Sequence, residues 1–314
     1  MTPRPAALAA QPGVRPVLKW AGGKRQLLPA LRPFYPRTFA RYFEPFVGSG
    51  AVFLDLQNSG RADGRDVRLS DINADIIGSY RMVRDQVEAV IEALWALDAG
   101  HRAGGRMHFY EVRDRQFNPA RRVVHAAAAP ADAYTAPLAA MLIYLNRTGY
   151  NGLFRVNAKG TFNVPAGRHA SVRICDPDNL RRLSAVFRAP GVSLEVQPFD
   201  AALEAAGQGD FVYLDPPYAP VSPTSRFTGY TSGGFGADAQ ARLRARVVEL
   251  ARRGAQVLLS NSFAPEIGSI YGDDEARAAG LRVRTVEARR AINSRAASRG
   301  PVLEYLITNV APAG

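Results

Sequence analysis

Phe211-Val212-Tyr213-Leu214-Asp215-Pro216-Pro217-Tyr218 is an apolar run closed by a carboxylate, two prolines and an aromatic ring. The four residues before Asp215 are apolar and rich in β-formers, which predicts a strand buried on both faces of a parallel sheet. In open α/β sheets ligands bind outside the carboxyl ends of the strands, so Asp215 stands where a strand ends and a crevice begins. The prolines fix two successive φ angles at about −65° and remove two N–H donors, leaving a stiff loop rich in acceptors. Tyr218 adds a flat face beside it. Such a pocket suits a planar ring that carries an amino group; the bland alternative is an ordinary strand-to-turn junction, since Asp and Pro are common in turns.

The chain around this stretch is long enough for one large domain or two ordinary ones, and its 47% hydrophobic content supplies a core. A net charge of +12 and an isoelectric point near 10.2 mark a protein that meets phosphates. No amphipathic basic helix with a bulky apolar face is evident, so nucleic acid is favoured over a membrane surface. Of 40 basic residues only Lys19, Lys24 and Lys159 are lysines, so those three positions stand out. A single cysteine, Cys175, excludes an internal disulfide and a Cys-rich zinc site, and four scattered histidines give no reason to expect a metal. No apolar stretch is long enough to span a membrane. Residues 1–16 carry no signal-peptide pattern and read as a disordered lead.

Two of the three lysines and one of the two tryptophans fall in Val17-Leu18-Lys19-Trp20-Ala21-Gly22-Gly23-Lys24-Arg25. The glycine pair permits close backbone approach to a ligand, and a helix-like run from Arg25 to Leu31 offers free N–H groups behind it. Next, Arg41-Tyr42-Phe43-Glu44-Pro45-Phe46-Val47-Gly48-Ser49-Gly50 is a short strand running into a glycine turn, the first βα turn of a nucleotide-binding sheet. Phe53 replaces the third glycine of the dinucleotide fingerprint, which favours a smaller nucleoside ligand over a pyrophosphate. A second strand, Val67 to Asp71, ends in an acid about 20 residues further on, where such folds bind ribose hydroxyls.

From Asn73 the pattern turns helical and strands vanish for about 100 residues, more than a crossover requires, so residues 75–188 read as a second domain inserted between the halves 17–74 and 189–314. Within it Gly100 to Gly105 reads as a loop, Met107 to Phe117 as a short helix, Arg121 to Pro137 as an Ala-rich connection and Ala139 to Leu145 as an apolar helix. Tyr150 to Pro165 alternates bulky and polar residues around Ala158-Lys159-Gly160 and predicts a β-hairpin. Its Asn, Arg and Lys side chains are of the kinds that read adenine, guanine and phosphate in a major groove, although a merely solvated hairpin has the same pattern. After a helix from Asp178 to Phe187, strands return at Val192 to Val196, Phe211 to Leu214, Val257 to Ser260, Leu281 to Glu287 and Val302 to Thr308. With the first two they make a seven-stranded, doubly wound α/β sheet. Ala219 to Gly236 reads as a loop that orders on substrate, and Arg289, Arg290 and Arg295 as a phosphate patch.

In order along the chain, the Leu18-to-Lys24 cluster, Glu44-Pro45-Phe46-Val47-Gly48-Ser49-Gly50, Ser70-Asp71-Ile72-Asn73, the run from Asn146 to Asn157 with its Phe162-Asn163-Val164-Pro165 tail, and Asp215-Pro216-Pro217-Tyr218 resemble the adenine-specific DNA methyltransferases of the Dam type. The likeness extends from Leu18 to Asn309. It implies a Rossmann-like methyltransferase sheet carrying an inserted, mainly helical target-recognition domain with a β-hairpin. It implies S-adenosyl-L-methionine as cofactor, held by Trp20, Gly22, Lys24, Glu44, Phe46, Gly48, Asp71, Phe199, Asp200 and Asp215. The partner implied is double-stranded DNA, contacted at a GATC site through Tyr150, Asn151, Leu153, Arg155, Asn157, Pro165 and Arg168, by a cytoplasmic monomer.

The chemistry follows from the target. An adenine inside a duplex is out of reach and must be flipped out. Its exocyclic amine is a poor nucleophile until Asp215 and the Pro216 carbonyl each accept one amine hydrogen and return electron density to nitrogen, while Tyr218 stacks on the ring. Methylation of the cytosine amine is the nearest enzymatic alternative, and a DNA-binding regulator without activity the alternative from another class. Cytosine carbon-5 methylation needs a cysteine nucleophile, and Cys175 has no such setting.

Overall fold

The computed structural model describes residues 12–20, 22–168, 172–217, 235–289 and 301–312. Tyr218, Arg290, Arg295, residues 1–11 of the expected lead and most of the Ala219–Gly236 loop lie outside them. Seven strands form one sheet: β1 (Arg41–Glu44), β2 (Asp66–Asp71), β3 (Val192–Val196), β4 (Phe211–Leu214), β5 (Gln256–Ser262), β6 (Arg282–Arg289) and β7 (Pro301–Thr308). Their spatial order is β3-β2-β1-β4-β5-β7-β6. The chain moves outward from β1 to β3 and then returns to lay β4 on the other side of β1. The crevice where strand order reverses therefore opens between β1 and β4. β1 to β5 pair in parallel, whereas β7 is antiparallel to both β5 and β6.

The period of two along the central strands explains the double winding. Tyr42, Phe211, Tyr213, Leu258 and Leu306 point into one core, and Phe43, Val212, Leu214, Val257, Leu259 and Ile307 into the other. On the first face lie α1 (Leu28–Leu31), α2 (Ala51–Asn58), α3 (Ala74–Asp85) and the inserted helices α4 (Val87–Glu111), α5 (Asn118–His125), α6 (Ala136–Thr148) and α7 (Pro177–Arg188). After the short α8 (Phe199–Ala202), the second face is covered by α9 (Ala237–Arg252), α10 (Pro265–Tyr271) and α11 (Asp274–Ala278). Val90, Ile91 and Leu94 of α4, Leu142 of α6 and Leu180 of α7 join the same core as Tyr42 and Tyr213, so the insert is built directly onto the sheet. The described end of the lead is docked as well: Val14 N–H reaches Asn58 Oδ1 at 2.8 Å, and Arg15 pairs with Asp176 at 2.6 Å.

Three expected boundaries move. Residues 100–105 are helical inside α4 rather than a loop, and the break falls at Gly105, whose φ of 49° and ψ of −125° leave the helical region. The break bends the helix back on itself: a Cβ on Gly100 would lie 2.4 Å from the His108 ring, two residues that a straight helix separates by about 12 Å. The Ala-rich connection begins with α5, which follows a π-helical turn at Val112–Phe117.

The expected hairpin is the third difference. Tyr150–Gly152 is a 3₁₀ turn, and beyond it only two isolated antiparallel bridges form, Gly149 with Ala166 and Val156 with Phe162. Asn151 and Gly152 both have positive φ, which turns the chain out of a strand, and Pro165 has no N–H for a ladder. Asn118 of α5 takes the place of a strand partner: its Nδ2 donates to Phe162 O at 3.0 Å and its Oδ1 accepts Phe162 N–H at 2.9 Å.

Candidate active site

A cavity of about 350 Å³ opens at the carboxyl ends of β1, β2 and β4, within the range of small-molecule sites. All ten residues expected to hold a cofactor line it: Trp20, Gly22, Lys24, Glu44, Phe46, Gly48, Asp71, Phe199, Asp200 and Asp215. Pro216 lines it too. Residues spread over nearly two hundred positions converge because three parallel strands end side by side.

The floor is the turn after β1. Gly48 and Gly50 adopt φ of 46° and 66°, a conformation that side-chain-bearing residues rarely take. Gly48 N–H donates to Asp71 Oδ2 at 3.1 Å, and Asn73 N–H to Asp71 Oδ1 at 2.9 Å. Burial still pushes the Asp71 carboxyl up, to about 6, against these bonds. Asn73 Oδ1 caps α3 by accepting Asp75 N–H, whereas its buried Nδ2 has no hydrogen-bond partner among the described residues. An orphaned donor beside a carboxylate on a cavity wall fits a ligand with hydroxyl or ring-nitrogen acceptors, as a nucleoside has. On the opposite wall the rings of Phe46, Phe199 and Phe235 lie within 5.9 Å of one another, and Arg242 reaches Asp200 Oδ2 at 3.4 Å. An apolar wall next to polar anchors accommodates a flat base and an alkyl chain. These residues fit the cofactor implied by the sequence.

Asp215 stands at the other end of the cavity. Lys24 Nζ lies 2.9 Å from Asp215 Oδ1, and the Ser260 hydroxyl donates to the same oxygen at 3.2 Å. Burial drives the Asp215 carboxyl up to about 6, with Lys24 pulling it down and Glu304 pushing it up. Lys24, expected to hold cofactor, is thus also the cation on Asp215. Glu44 is buried at the end of β1, where burial raises it to about 8 although the Tyr42 hydroxyl donates to its Oε2 at 2.9 Å. Burial likewise pushes the Cys175 thiol up to about 11, which disfavours the thiolate form.

The seven residues expected to touch DNA share one segment outside the cavity. Tyr150, Asn157, Pro165 and Arg168 are exposed, and Asn151, Leu153 and Arg155 half-buried. Asn157 Oδ1 accepts from Lys159 N and Thr161 N and shapes the turn, while Arg155 Nε donates to Asn163 Oδ1 at 2.8 Å. Asn146 fastens this segment to the cofactor side: Lys19 N–H donates to its Oδ1, and its Nδ2 donates to Lys19 O and Gly152 O.

Sequence reasoning missed Asn73, Ser260 and Glu304 as parts of the site. Ser260-Asn261 closes an apolar strand as Asp215 does, a signal that was present. Glu304 carried none, because it sits near the start of a strand and reaches the site only through the reversal of β7.

Comparison with known proteins shows the family to which the chain belongs. Residues 20–292 match the family model of the D12 class N6 adenine-specific DNA methyltransferases. The chain is 35% identical over 301 residues to the type II methyltransferase M1.LlaDCHI of Lactococcus lactis subsp. cremoris, covering 94% of this chain and 95% of that one. It is 36% identical over 310 residues to the type II methyltransferase M.MjaIII of Methanocaldococcus jannaschii, covering 94% and 99%. It is 31% identical over 294 residues to the DNA adenine methylase of Escherichia coli K12, covering 93% and 94%. With a seven-stranded sheet, a cavity at its switch point and a family match over most of its length, the chain belongs to the D12 class of N6 adenine-specific DNA methyltransferases.

Proposed function

We propose that this enzyme methylates the 6-amino group of an adenine flipped out of duplex DNA at GATC, with S-adenosyl-L-methionine as donor. The observation that carries the reading is the position of Asp215: its carboxylate closes β4 and opens into the cavity that Asp71 and Glu44 line. Bound S-adenosyl-L-methionine supplies an electrophilic sulfonium methyl group. Asp71 and the orphaned Asn73 Nδ2 offer an acceptor and a donor to the ribose and base, and the Phe46–Phe199 wall offers stacking. Both bonds to Asp215 among the described residues fall on Oδ1, so Oδ2 accepts one hydrogen of the adenine amine and the Pro216 carbonyl the other. Electron density then returns to the nitrogen as it attacks. Tyr218 stacks on the extruded ring, which offsets part of the few kcal/mol that extrusion costs.

Tyr150, Asn151, Leu153, Arg155, Asn157, Pro165 and Arg168 read the site, supported by the family resemblance and by the exposed polar edge of their segment. The acting unit is a monomer in the cytoplasm, in keeping with the bacterial origin of relatives such as the Lactococcus and Escherichia enzymes. Among the described residues no helix is long and apolar enough to cross a membrane. Sequencing of methylated adenines in DNA from cells expressing the chain tests the reading. Methylation confined to GATC is expected and to vanish with Asp215→Ala; methylation at another motif would overturn the specificity, and full activity of the variant would overturn the chemistry.

A further inference from the structure

We propose that Ser260 and Glu304 are positioning residues for the Asp215 carboxylate, Ser260 fixing which oxygen faces the adenine amine and Glu304 sharing the Lys24 ammonium. The inference rests on Asp215 being the amine acceptor. Ser260 is fully buried at the carboxyl end of β5, the strand next to β4, and the register sets Leu259 beside Leu214. Its hydroxyl has one hydrogen to give, and the 3.2 Å contact spends it on Asp215 Oδ1. The Tyr213 hydroxyl, 3.0 Å from Ser260 Oγ, then donates to Ser260, so a buried relay runs from Tyr213 through Ser260 to Asp215. Two donors on one oxygen stop the carboxylate from rotating and keep Oδ2 turned to the substrate.

Glu304 acts from the other side. Its Oε2 lies 3.5 Å from Lys24 Nζ and is buried with no hydrogen-bond partner among the described residues, where its link to the ammonium is one of charge. One cation thus stands between two carboxylates, only 4% exposed itself. The share of Lys24 that Glu304 takes is withheld from Asp215, which keeps Asp215 a better acceptor for the amine. Among the described residues, the groups facing Asp215 are Lys24 from the 3₁₀ turn Lys24–Gln26, Ser260 from β5, Glu304 from β7, and Tyr213 and Glu44 from β4 and β1. Among them Ser260 stabilises the ionised carboxylate by donating to it, whereas Glu304 opposes ionisation by its charge.

The two residues therefore leave signatures of opposite sign. With full-length protein and a GATC duplex, Ser260→Ala should lower the single-turnover methylation rate about tenfold, the weight of one hydrogen bond to a charged group, while DNA and cofactor affinities stay within about twofold. The acid limb of the rate profile should move to higher pH in Ser260→Ala and to lower pH in Glu304→Gln, and Ser260→Thr should restore the native limb. Limbs that move the same way, or a loss confined to DNA affinity, would overturn the proposal. Asp215→Asn separates the layers: if it is inactive while neither limb moves, only the positioning roles fail, and if it is fully active the acceptor reading fails beneath them.

Discussion

The indole of Trp20 stacks on the ring of Phe154, with centroids 5.4 Å apart and planes 26° apart. Trp20 lines the cavity and covers Gly48, whereas Phe154 belongs to the segment assigned to DNA reading. One aromatic contact thus joins the two halves of the enzyme's task. Phe154→Leu keeps an apolar side chain of somewhat smaller volume and loses the stack, which is worth about 0.5–1.5 kcal/mol. The expected outcome is a several-fold weaker affinity for S-adenosyl-L-methionine by calorimetry, together with relaxed site choice. An unchanged cofactor affinity would show that the two halves are independent.

Asp75 is fully buried and accepts from Arg121, from the Tyr134 hydroxyl at 3.1 Å and from His125 Nε2 at 3.0 Å. Burial alone would raise this carboxyl, and the His125 bond and Arg121 charge outweigh it, so it is held below its ordinary value. Arg121 also donates to Gly160 O in the turn of the segment proposed to read DNA. Arg121→Ala should destabilise the fold by about 3–5 kcal/mol in denaturant unfolding, since it strands a buried carboxylate. Because the folded value is depressed, the stabilisation is present above the ordinary Asp value of 3.8 and is lost as pH falls below it.

Glu44 carries the opposite sign. Its folded value near 8 lies above the ordinary 4.5, so the folded state keeps a proton that the unfolded chain releases between those values. Its contribution to stability is complete below 4.5 and disappears as pH rises through about 8. Glu44→Gln should flatten the fall in unfolding free energy between pH 4.5 and about 8, measured by denaturant titrations across that range. A wild-type slope retained by the variant would assign that loss to other groups.

The net charge of +12 predicts steep salt dependence of DNA binding. Between about 50 and 200 mM salt the affinity should fall by at least tenfold in a filter or anisotropy assay, as counterions released from several phosphates require. Arg155→Ala should cost roughly 1–3 kcal/mol in discrimination between GATC and singly altered sites. A preference unchanged by that substitution would remove Arg155 from base reading.

The seven strands were legible because each central strand is a short apolar run bounded by Gly, Pro or an acid, and the ten residues that line the cavity came from the family resemblance of the motifs that carry them. Residues 100–105 misled, since three glycines and a histidine read as a loop although the helix needs Gly100 to admit the His108 ring. The recognition segment misled differently. Its alternation of Phe154, Val156, Phe162 and Val164 is that of a strand, but the partner that satisfies Phe162 is a side chain, Asn118, which lies 44 residues away in sequence. Tertiary hydrogen bonds of this kind leave no periodic trace. Glu304 illustrates the same limit, for its role depends on strand direction and not on the residues around it.

The direction of β7 has a further consequence for how activity arises during synthesis. β7 is the last of the seven strands of this sheet along the chain, yet Glu304 pairs opposite Ser262 and brings its carboxylate to the Lys24 ammonium that also meets Asp215. Until β7 has slid between β5 and β6, a nascent chain can possess every sequence motif of the family and still present Lys24 to one carboxylate instead of two. The proposed tuning of the acceptor is therefore acquired only when this one strand is inserted, and not with the motifs themselves.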